Sequence, residues 1–288
     1  MISASLTEAL KKSNLDPLQL EQHVRAALAE DVRSGDVTSL ATIDTDQQST
    51  AYFTARKEGI VAGTCVAALV LEVSGISQYT ISKTDGSQVQ PGDVIITSTG
   101  ATSSMLTAER TALNYLTHLS GIATATNLWT KTIAGTKAKI RDTRKTIPGL
   151  RELEKYAVRA GGGENHRISL AESALIKDNH IAAVGSLSAA VQRVRLKFPE
   201  LPIEVEADNL EQVKEALELK VDIVLLDNMT LEMTRAAVEL ARSTKTKLES
   251  SGGLTLTTAA SYAATGVDYL AVGAITHSAP ALDIGLDF

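Results

Sequence analysis

The chain has 288 residues and a formal net charge of −6, from 28 basic and 34 acidic side chains. That length suits one large or two ordinary domains, and the acidic balance excludes a general nucleic-acid binder, which carries a basic surplus. A hydrophobic content of 44% excludes a disordered chain; an aromatic content of 3% leaves the cores to Ala, Val, Leu and Ile and excludes a stacking platform for bases.

In the first half, Leu20, Val24, Ala27 and Leu28 recur at helical spacing and predict a short amphipathic helix over 18–29. Alternating strands are expected at 51–57, 78–83 and 93–98, with an Ala/Val/Leu-rich helix at about 64–73 between them. Cys65, the single cysteine, excludes an internal disulfide and a cysteine-based zinc site, and points to a reducing, cytoplasmic setting. Asp85-Gly86 and Pro91-Gly92-Asp93 are turn signals. Ser104 or Thr107 is positioned to cap a helix through Ala108 to about Leu119. This half reads as an α/β sandwich, residues 1–117. No run of about 18 apolar residues occurs, and the first residues lack the apolar core of a signal peptide, so no membrane partner is expected.

From about residue 137 a βα rhythm begins. Strands are expected at 138–142, 174–177, 203–206, 222–227, 247–250 and 269–273, with helices near 151–160, 187–197, 209–219, 230–243 and 256–264. Strands alternating with helices of this length predict a parallel sheet. Six units are compatible with a six-unit barrel or an open doubly wound sheet, over residues 118–278. The tail, 279–288, is expected to pack back on the first domain.

In either architecture ligands bind beyond the C-terminal strand ends. Those ends carry Arg144 and Lys145, then Lys177, Glu206, Asp227, the run Ser250-Ser251-Gly252-Gly253, and Gly273 with His277 shortly after. Between Lys137 and His180 ten basic residues meet six acidic ones, a local +4 in a chain at −6. Arginine forks and lysine point charges in a cleft suit carboxylates and phosphates. Ser251, Gly252 and Gly253 offer hydroxyl and backbone N–H groups to a phosphate, and Gly273 can do the same one unit later. Glu206 and Asp227 end adjacent strands; they can hold Mg²⁺, accept bonds from ribose hydroxyls, or pair with nearby lysines. His166-Arg167 follows Gly161-Gly162-Gly163, a backbone able to approach a ligand closely or simply to form a loose loop. Glu204, two residues before Glu206 and deeper on the same face, reads as structural.

The strings themselves resemble the quinolinate phosphoribosyltransferase family: EDVRSGDVTS (30–39), ARKEGIVAG (55–63), LTAERTALNYLTHLSGIATAT (106–126), TRKTIPGLR (143–151), GGGENHR (161–167), LIKDNHI (175–181), EVEADN (204–209), LLDNM (225–229), ESSGG (249–253) and GVDYLAVGAITHS (266–278). Two departures, Ser169 before Leu170 and Ala271, touch no charged site residue.

The resemblance implies an N-terminal α/β sandwich followed by a six-unit α/β barrel. It implies transfer of a phosphoribosyl group from 5-phosphoribosyl-1-pyrophosphate to quinolinate with decarboxylation, giving nicotinate mononucleotide, pyrophosphate and CO₂ with Mg²⁺ in NAD synthesis. It further implies a homodimer or larger homo-oligomer whose neighbouring subunit completes each site. By the same resemblance Arg144, His166, Arg167, Lys177 and Thr143 would bind quinolinate, with Arg110 reaching in from the partner. Lys145 and Lys177 would neutralise the donor; Ser251, Gly252, Gly253, Gly273 and His277 would cradle its 5′-phosphate; Glu206 and Asp227 would hold ribose and the Mg²⁺-pyrophosphate. Two other readings compete: a barrel aldolase with Lys177 as Schiff base, and a molybdenum-transport-associated paralogue that binds a phosphorylated ligand without turnover.

Overall fold

A computed structural model describes residues 2–288 of the chain. Two compact units are formed: Met1–Asn127 with Glu152–Gly162 and Ser278–Phe288, and Leu128–Arg151 with Gly163–His277.

The first unit opens with helices α1 (Ala4–Lys12), α2 (Pro17–Val32) and α3 (Val37–Thr42). Then come β1 (Gln48–Ala55), β2 (Gly59–Ile60), α4 (Thr64–Val73), β3 (Gln78–Ile81), β4 (Gln88–Val89), β5 (Val94–Ala101) and the start of α5 (Thr102–Thr132). Strands β1, β3 and β5 lie in one antiparallel sheet, with β1 beside β5 and β5 beside β3. Helices α1 and α2 pack on α4, whose residues Thr64 to Leu71 are all buried. No side chain of α4's own caps its N-terminus; instead Asp85 accepts from Thr64 N–H at 3.0 Å and also takes the Tyr156 hydroxyl.

The second unit contributes β6 (Lys139–Arg141); α6 (Arg151–Ala160) belongs to the first unit. There follow β7 (Ala174–Ile176), α7 (Asp178–Val184), α8 (Leu187–Lys197), β8 (Ile203–Ala207), α9 (Leu210–Glu218), β9 (Ile223–Asp227), α10 (Leu231–Ala241), β10 (Lys247–Ser251), α11 (Leu256–Ala263), β11 (Tyr269–Ala271) and α12 (Ala274–His277). The last strand, β12 (Ile284–Asp287), returns to the first unit and pairs antiparallel with β1.

The six strands of the second unit are parallel, in the order β6-β11-β10-β9-β8-β7. Each strand neighbours the next in sequence, except that the first pairs with the last. That is the cyclic order of a six-unit barrel opened between its first two strands. Glu164 lies beside the free side of β6: its N–H donates to Ile140 O at 2.8 Å, and its carbonyl accepts from Asp142 N–H at 3.3 Å.

Register sorts the residues of this sheet onto two faces. Ile140, Val205, Val224, Leu226, Leu248 and Leu270 share one, and all are buried. Arg141, Glu204, Glu206, Leu225, Asp227, Glu249, Ser251 and Tyr269 share the other. The apolar face takes the helices; the charges are confined to the opposite one. Four helices start on a side-chain cap, α8 directly after α7 and α9, α10 and α11 after a strand. Ser186, Asn209, Thr230 and Thr255 accept from the N–H three residues on, each contributing about 1 kcal/mol.

Three expectations differ from what is observed. The helix expected from about residue 104 to 119 starts at Thr102 and runs to Thr132. Ala, Thr and Gly after Leu119 hid the continuation, although Ser120 and Thr124 face inward and bond Ala62 and Ile60. The helix at 151–160 forms over that span but joins the first unit rather than the barrel. Its buried face holds Tyr156 near Asp85, Glu154 against His118 at 3.0 Å, and Arg159 on the Ser13 carbonyl at 2.7 Å. Periodicity gives a helix its apolar face but does not say which core receives it. Helices α1, α3, α7 and α12 were not anticipated.

Two glycines permit close packing in the first unit. A Cβ on Gly121 would sit 2.2 Å from Pro280 O, and one on Gly161 would sit 2.4 Å from Ala123 O. Gly121→Ala is expected to displace the 280–282 segment, which otherwise bonds Thr117 O through Leu282 N–H at 3.0 Å. The cost is about 1–3 kcal/mol, measurable as a lowered melting temperature together with faster proteolysis of the C-terminal tail.

Candidate active site

The C-terminal ends of the parallel strands gather the residues singled out in the sequence. After β6 the chain runs through Thr143, Arg144 and Lys145. Thr143 Oγ1 accepts from Lys145 N–H at 3.0 Å, and Thr276 Oγ1 donates to Lys145 O at 2.7 Å. These bonds tie the loop after the first strand to the short helix α12 after the last. Gly273 lies beneath them: a Cβ there would meet Lys145 Cδ at 3.1 Å, Thr143 Oγ1 at 3.3 Å and His277 Nε2 at 3.4 Å. Thr143, Lys145, Gly273 and His277 are thus brought together.

After β10, Gly252 and Gly253 take φ values of +85° and +61°, in the left-handed region that favours glycine. At Gly252 the space is also closed, since a Cβ would lie 2.2 Å from Asn228 Oδ1. Asn228 in turn donates through its backbone to Ser251 O at 2.9 Å and through its amide to Asp227 at 2.8 Å. The ends of β9 and β10 are therefore locked to one another, with Asp227 and Ser251 in register. On the next strand Glu206 is in register with Leu225, two residues before Asp227 on the same face. The Lys177 ammonium is bonded to the Glu206 carboxylate.

Arg144 and Arg167 face no such neutralising partner. Each has a buried Nε with no bonding partner, and Arg167 spends Nη1 on the Ser173 carbonyl at 2.7 Å. Burial, and then the neighbouring Arg144 charge, push the Arg167 guanidinium below its ordinary value. The two guanidiniums are half-buried, and the Arg144 charge repels that of Arg167.

Arg110 lies exposed on α5 in the first unit. His166 is buried with its ring turned toward the sheet, its Nε2 lying 2.9 Å from Glu204 Oε2.

Beneath the rim is a cluster in which the sequence reading singled out His166 and read Glu204 as structural, but did not place Arg141 and Glu249. Arg141 Nη1 donates to Glu249 Oε2 at 2.6 Å, and its guanidinium also stacks 4.2 Å over the Tyr269 ring. His166, Glu204 and Glu249 bring potential ligand atoms within 4.8 Å of one another. By donor type they could hold a cation, but Arg141 already occupies one Glu249 oxygen. Burial, and then the Glu204 charge, raise the Glu249 carboxyl to about 7. The signal for this layer was the strand period: Arg141, Glu204 and Glu249 each precede a rim residue (Thr143, Glu206, Ser251) by two positions.

With fold and rim in place, the class is a parallel α/β barrel protein with a cationic rim. Comparison with known proteins narrows it. Residues 36–120 match the family model of the quinolinate phosphoribosyl transferase N-terminal domain, and residues 122–287 that of its C-terminal domain. The chain is 53% identical over 270 residues to the nicotinate-nucleotide pyrophosphorylase [carboxylating] of Mycobacterium leprae, covering 92% of this chain and 95% of that one. It is 40% identical to a probable enzyme of the same name from Bacillus subtilis, covering 95% and 94%. Among solved structures, NadC from Streptococcus pyogenes superposes with a TM-score of 0.91 at 38% identity, covering 95% and 97%. The nicotinate-nucleotide pyrophosphorylase of Francisella tularensis does so with 0.88 at 40%, covering 93% and 95%. The chain belongs to the quinolinate phosphoribosyltransferase family.

The raised Glu249 carboxyl has a consequence for stability. Its ordinary value is 4.5, so between 4.5 and about 7 the folded state holds a proton that the unfolded state releases. Stability contributed by this group therefore falls as pH rises through that window. Glu249→Gln should flatten the decline, measured as the difference in melting temperature between about pH 5 and about pH 7.5; an unchanged decline would assign it to other groups.

Proposed function

We propose that this chain transfers the phosphoribosyl group of 5-phosphoribosyl-1-pyrophosphate to quinolinate and releases CO₂, forming nicotinate mononucleotide and pyrophosphate. The single observation that carries this reading, beyond family membership, is the half-buried Arg144–Arg167 pair, each with a buried Nε that has no bonding partner among the described residues. A pyridine dicarboxylate supplies two anionic groups on a rigid ring, which suits guanidinium forks held at fixed angles. Lys177, on the next strand, adds a third cation. Arg110 adds a fourth from a neighbouring subunit, in a homodimer or larger assembly of this chain.

The donor's 5′-phosphate fits the Ser251, Gly252, Gly253 and Gly273 backbone, with Lys145 and His277 alongside. Glu206 and Asp227 take the ribose hydroxyls. They also suit Mg²⁺: both are half-buried carboxylates on neighbouring strand ends, and each has an oxygen beyond the one used by Lys177 or Asn228. When bound, the ion would supply positive charge for the departing pyrophosphate.

In the reaction the pyridine nitrogen attacks the ribose C1 as the C1–O bond to pyrophosphate breaks. Glu206 and Asp227 lie where positive charge develops on the sugar and stabilise it electrostatically. The quaternised ring then accepts the electron pair of the adjacent C–CO₂ bond, and CO₂ leaves. A proton replaces it on the ring carbon. The residues work by position and charge, and no flavin, thiamine or pyridoxal is needed. The aldolase reading asks for an unengaged Lys177 amine, whereas here that group donates to Glu206. Against a protein that binds a phosphorylated ligand without turnover stands the complete cationic set Arg110, Arg144, Arg167 and Lys177, more cations than a single phosphate needs and suited to a dicarboxylate beside the phosphorylated donor. A cytoplasmic location accords with a single, buried cysteine.

The test is an assay with quinolinate, 5-phosphoribosyl-1-pyrophosphate and Mg²⁺, following CO₂ and nucleotide; a folded protein with no turnover refutes the assignment. Arg144→Ala and Arg167→Ala should each raise the KM for quinolinate by about tenfold or more, the scale of a lost charge-assisted bond of about 1.5–3 kcal/mol, with little change in the KM for the donor. Mixed Arg110→Ala and Lys177→Ala proteins should regain part of the activity. No recovery in a mixture that exchanges subunits counts against a shared site.

A further inference from the structure

The resemblance assigns His166 to the quinolinate-binding cations, but its surroundings describe a different residue. The ring is buried and both nitrogens are engaged within the chain. Nδ1 accepts the backbone N–H of Arg167 at 2.8 Å, and Nε2 lies 2.9 Å from Glu204 Oε2 and 3.6 Å from Glu249 Oε1. A ring nitrogen that accepts an N–H bond carries no proton, so this network assigns the proton to Nε2 and leaves the imidazole neutral. The backbone N–H of His166 is held as well, donating to Asp142 Oδ1 at 2.9 Å.

Resting on the function proposed above, we infer that His166 is a neutral positioning residue. It couples the backbone of Arg167 to the buried carboxylates Glu204 and Glu249, and it contributes no charge to the dicarboxylate. Arg167 sits where its neighbour Arg144 repels it, so its placement has to be imposed by other bonds. Two are visible: Nη1 to the Ser173 carbonyl, and the backbone N–H to the His166 ring. The ring is anchored in turn by Glu204 on β8, with Glu249 on β10 beyond it and Arg141 on β6 holding Glu249. Charged groups facing His166 from these elements are therefore Glu204, Glu249, Arg141, Asp142 and its own neighbour Arg167. The chain of contacts leads from three strands to one guanidinium. Glu204 and Glu249 each keep a buried Oε1 that makes no hydrogen bond. Such an arrangement is costly in a low-dielectric interior, and it marks the cluster as more than packing. Glu204, Glu249 and Arg141 thereby become positioning residues for substrate recognition.

Two measurements decide this. The first is nitrogen-15 NMR of the wild-type protein labelled at its five histidines, with His166→Gln to assign the signal. The expected result is one ring with Nδ1 unprotonated and Nε2 protonated, in the free protein and after addition of quinolinate. A doubly protonated His166 in either state overturns the proposal. The second is the quinolinate KM of variants whose folding is checked by thermal melting. Glu204→Gln keeps an oxygen that can accept from Nε2–H and should raise KM only about threefold, whereas Glu204→Leu should raise it about tenfold or more, since a buried donor left unpaired costs more than an exchanged acceptor. In both, kcat should change less than KM. His166→Gln should recover part of what His166→Ala loses, because its amide can still donate to Glu204. Equal losses in Glu204→Gln and Glu204→Leu would mean that the carboxylate charge supports an imidazolium, and would sink the idea. If the wild-type protein does not turn over quinolinate, the function assigned above fails while the NMR result still decides the state of the His166 ring.

Discussion

The rim of the parallel sheet depends on how charge is balanced one pleat beneath it. Arg141, Glu204, Glu249 and His166 all point to the strand face that the helices do not cover, and three of the four are almost wholly buried. In that environment an isolated charge is prohibitive, so cation and carboxylate must meet in good geometry. Arg141 does so with Glu249 at 2.6 Å, yet burial, and then the charge of the second carboxylate Glu204, still hold the Glu249 carboxyl above its ordinary value. Because this lower layer consumes its own cation, Arg144 and Arg167 above are left without internal counter-ions.

The backbone serves the same end. Gly252 admits Asn228 where any side chain would collide, and Gly273 leaves room beneath Lys145, Thr143 and His277. Bonds between successive loops then fix strand ends to one another: Asn228 to Ser251, Thr276 to Lys145. A site assembled from six strand ends needs such cross-links, since each loop alone is free to move. The single opening in the sheet, between β6 and β7, is where the Gly-rich loop runs, and that loop delivers Glu164 to the β6 side, then His166 and Arg167.

Much of this could be read from the residues. The six parallel strands, the helices at 187–197 and 64–73, and the strand-end positions of Lys177, Glu206 and Asp227 follow from periodicity, which is a local property of the chain. The family strings then assigned roles to the rim. Less legible was anything set by which surfaces meet. Helix α6 carries an unmistakable apolar face, yet it packs in the first unit because Tyr156 and Glu154 find Asp85 and His118 there. The length of α5 was hidden because Ser120 and Thr124, weak helix formers in isolation, are held by bonds to the backbone of Ala62 and Ile60.

By itself, then, the sequence determined the alternation of strand and helix, the positions at which chemistry is displayed, and the local surplus of positive charge. Those depend on residue type and spacing. Only the tertiary structure decided which charges neutralise one another and which stay available. His166 and Arg167 are adjacent in sequence, but one turns inward to Glu204 and the other keeps an unfilled guanidinium donor beside Arg144. The physical reason is that electrostatic pairing in a protein interior is governed by distance and desolvation across strands far apart in the chain, which spacing along the chain cannot encode.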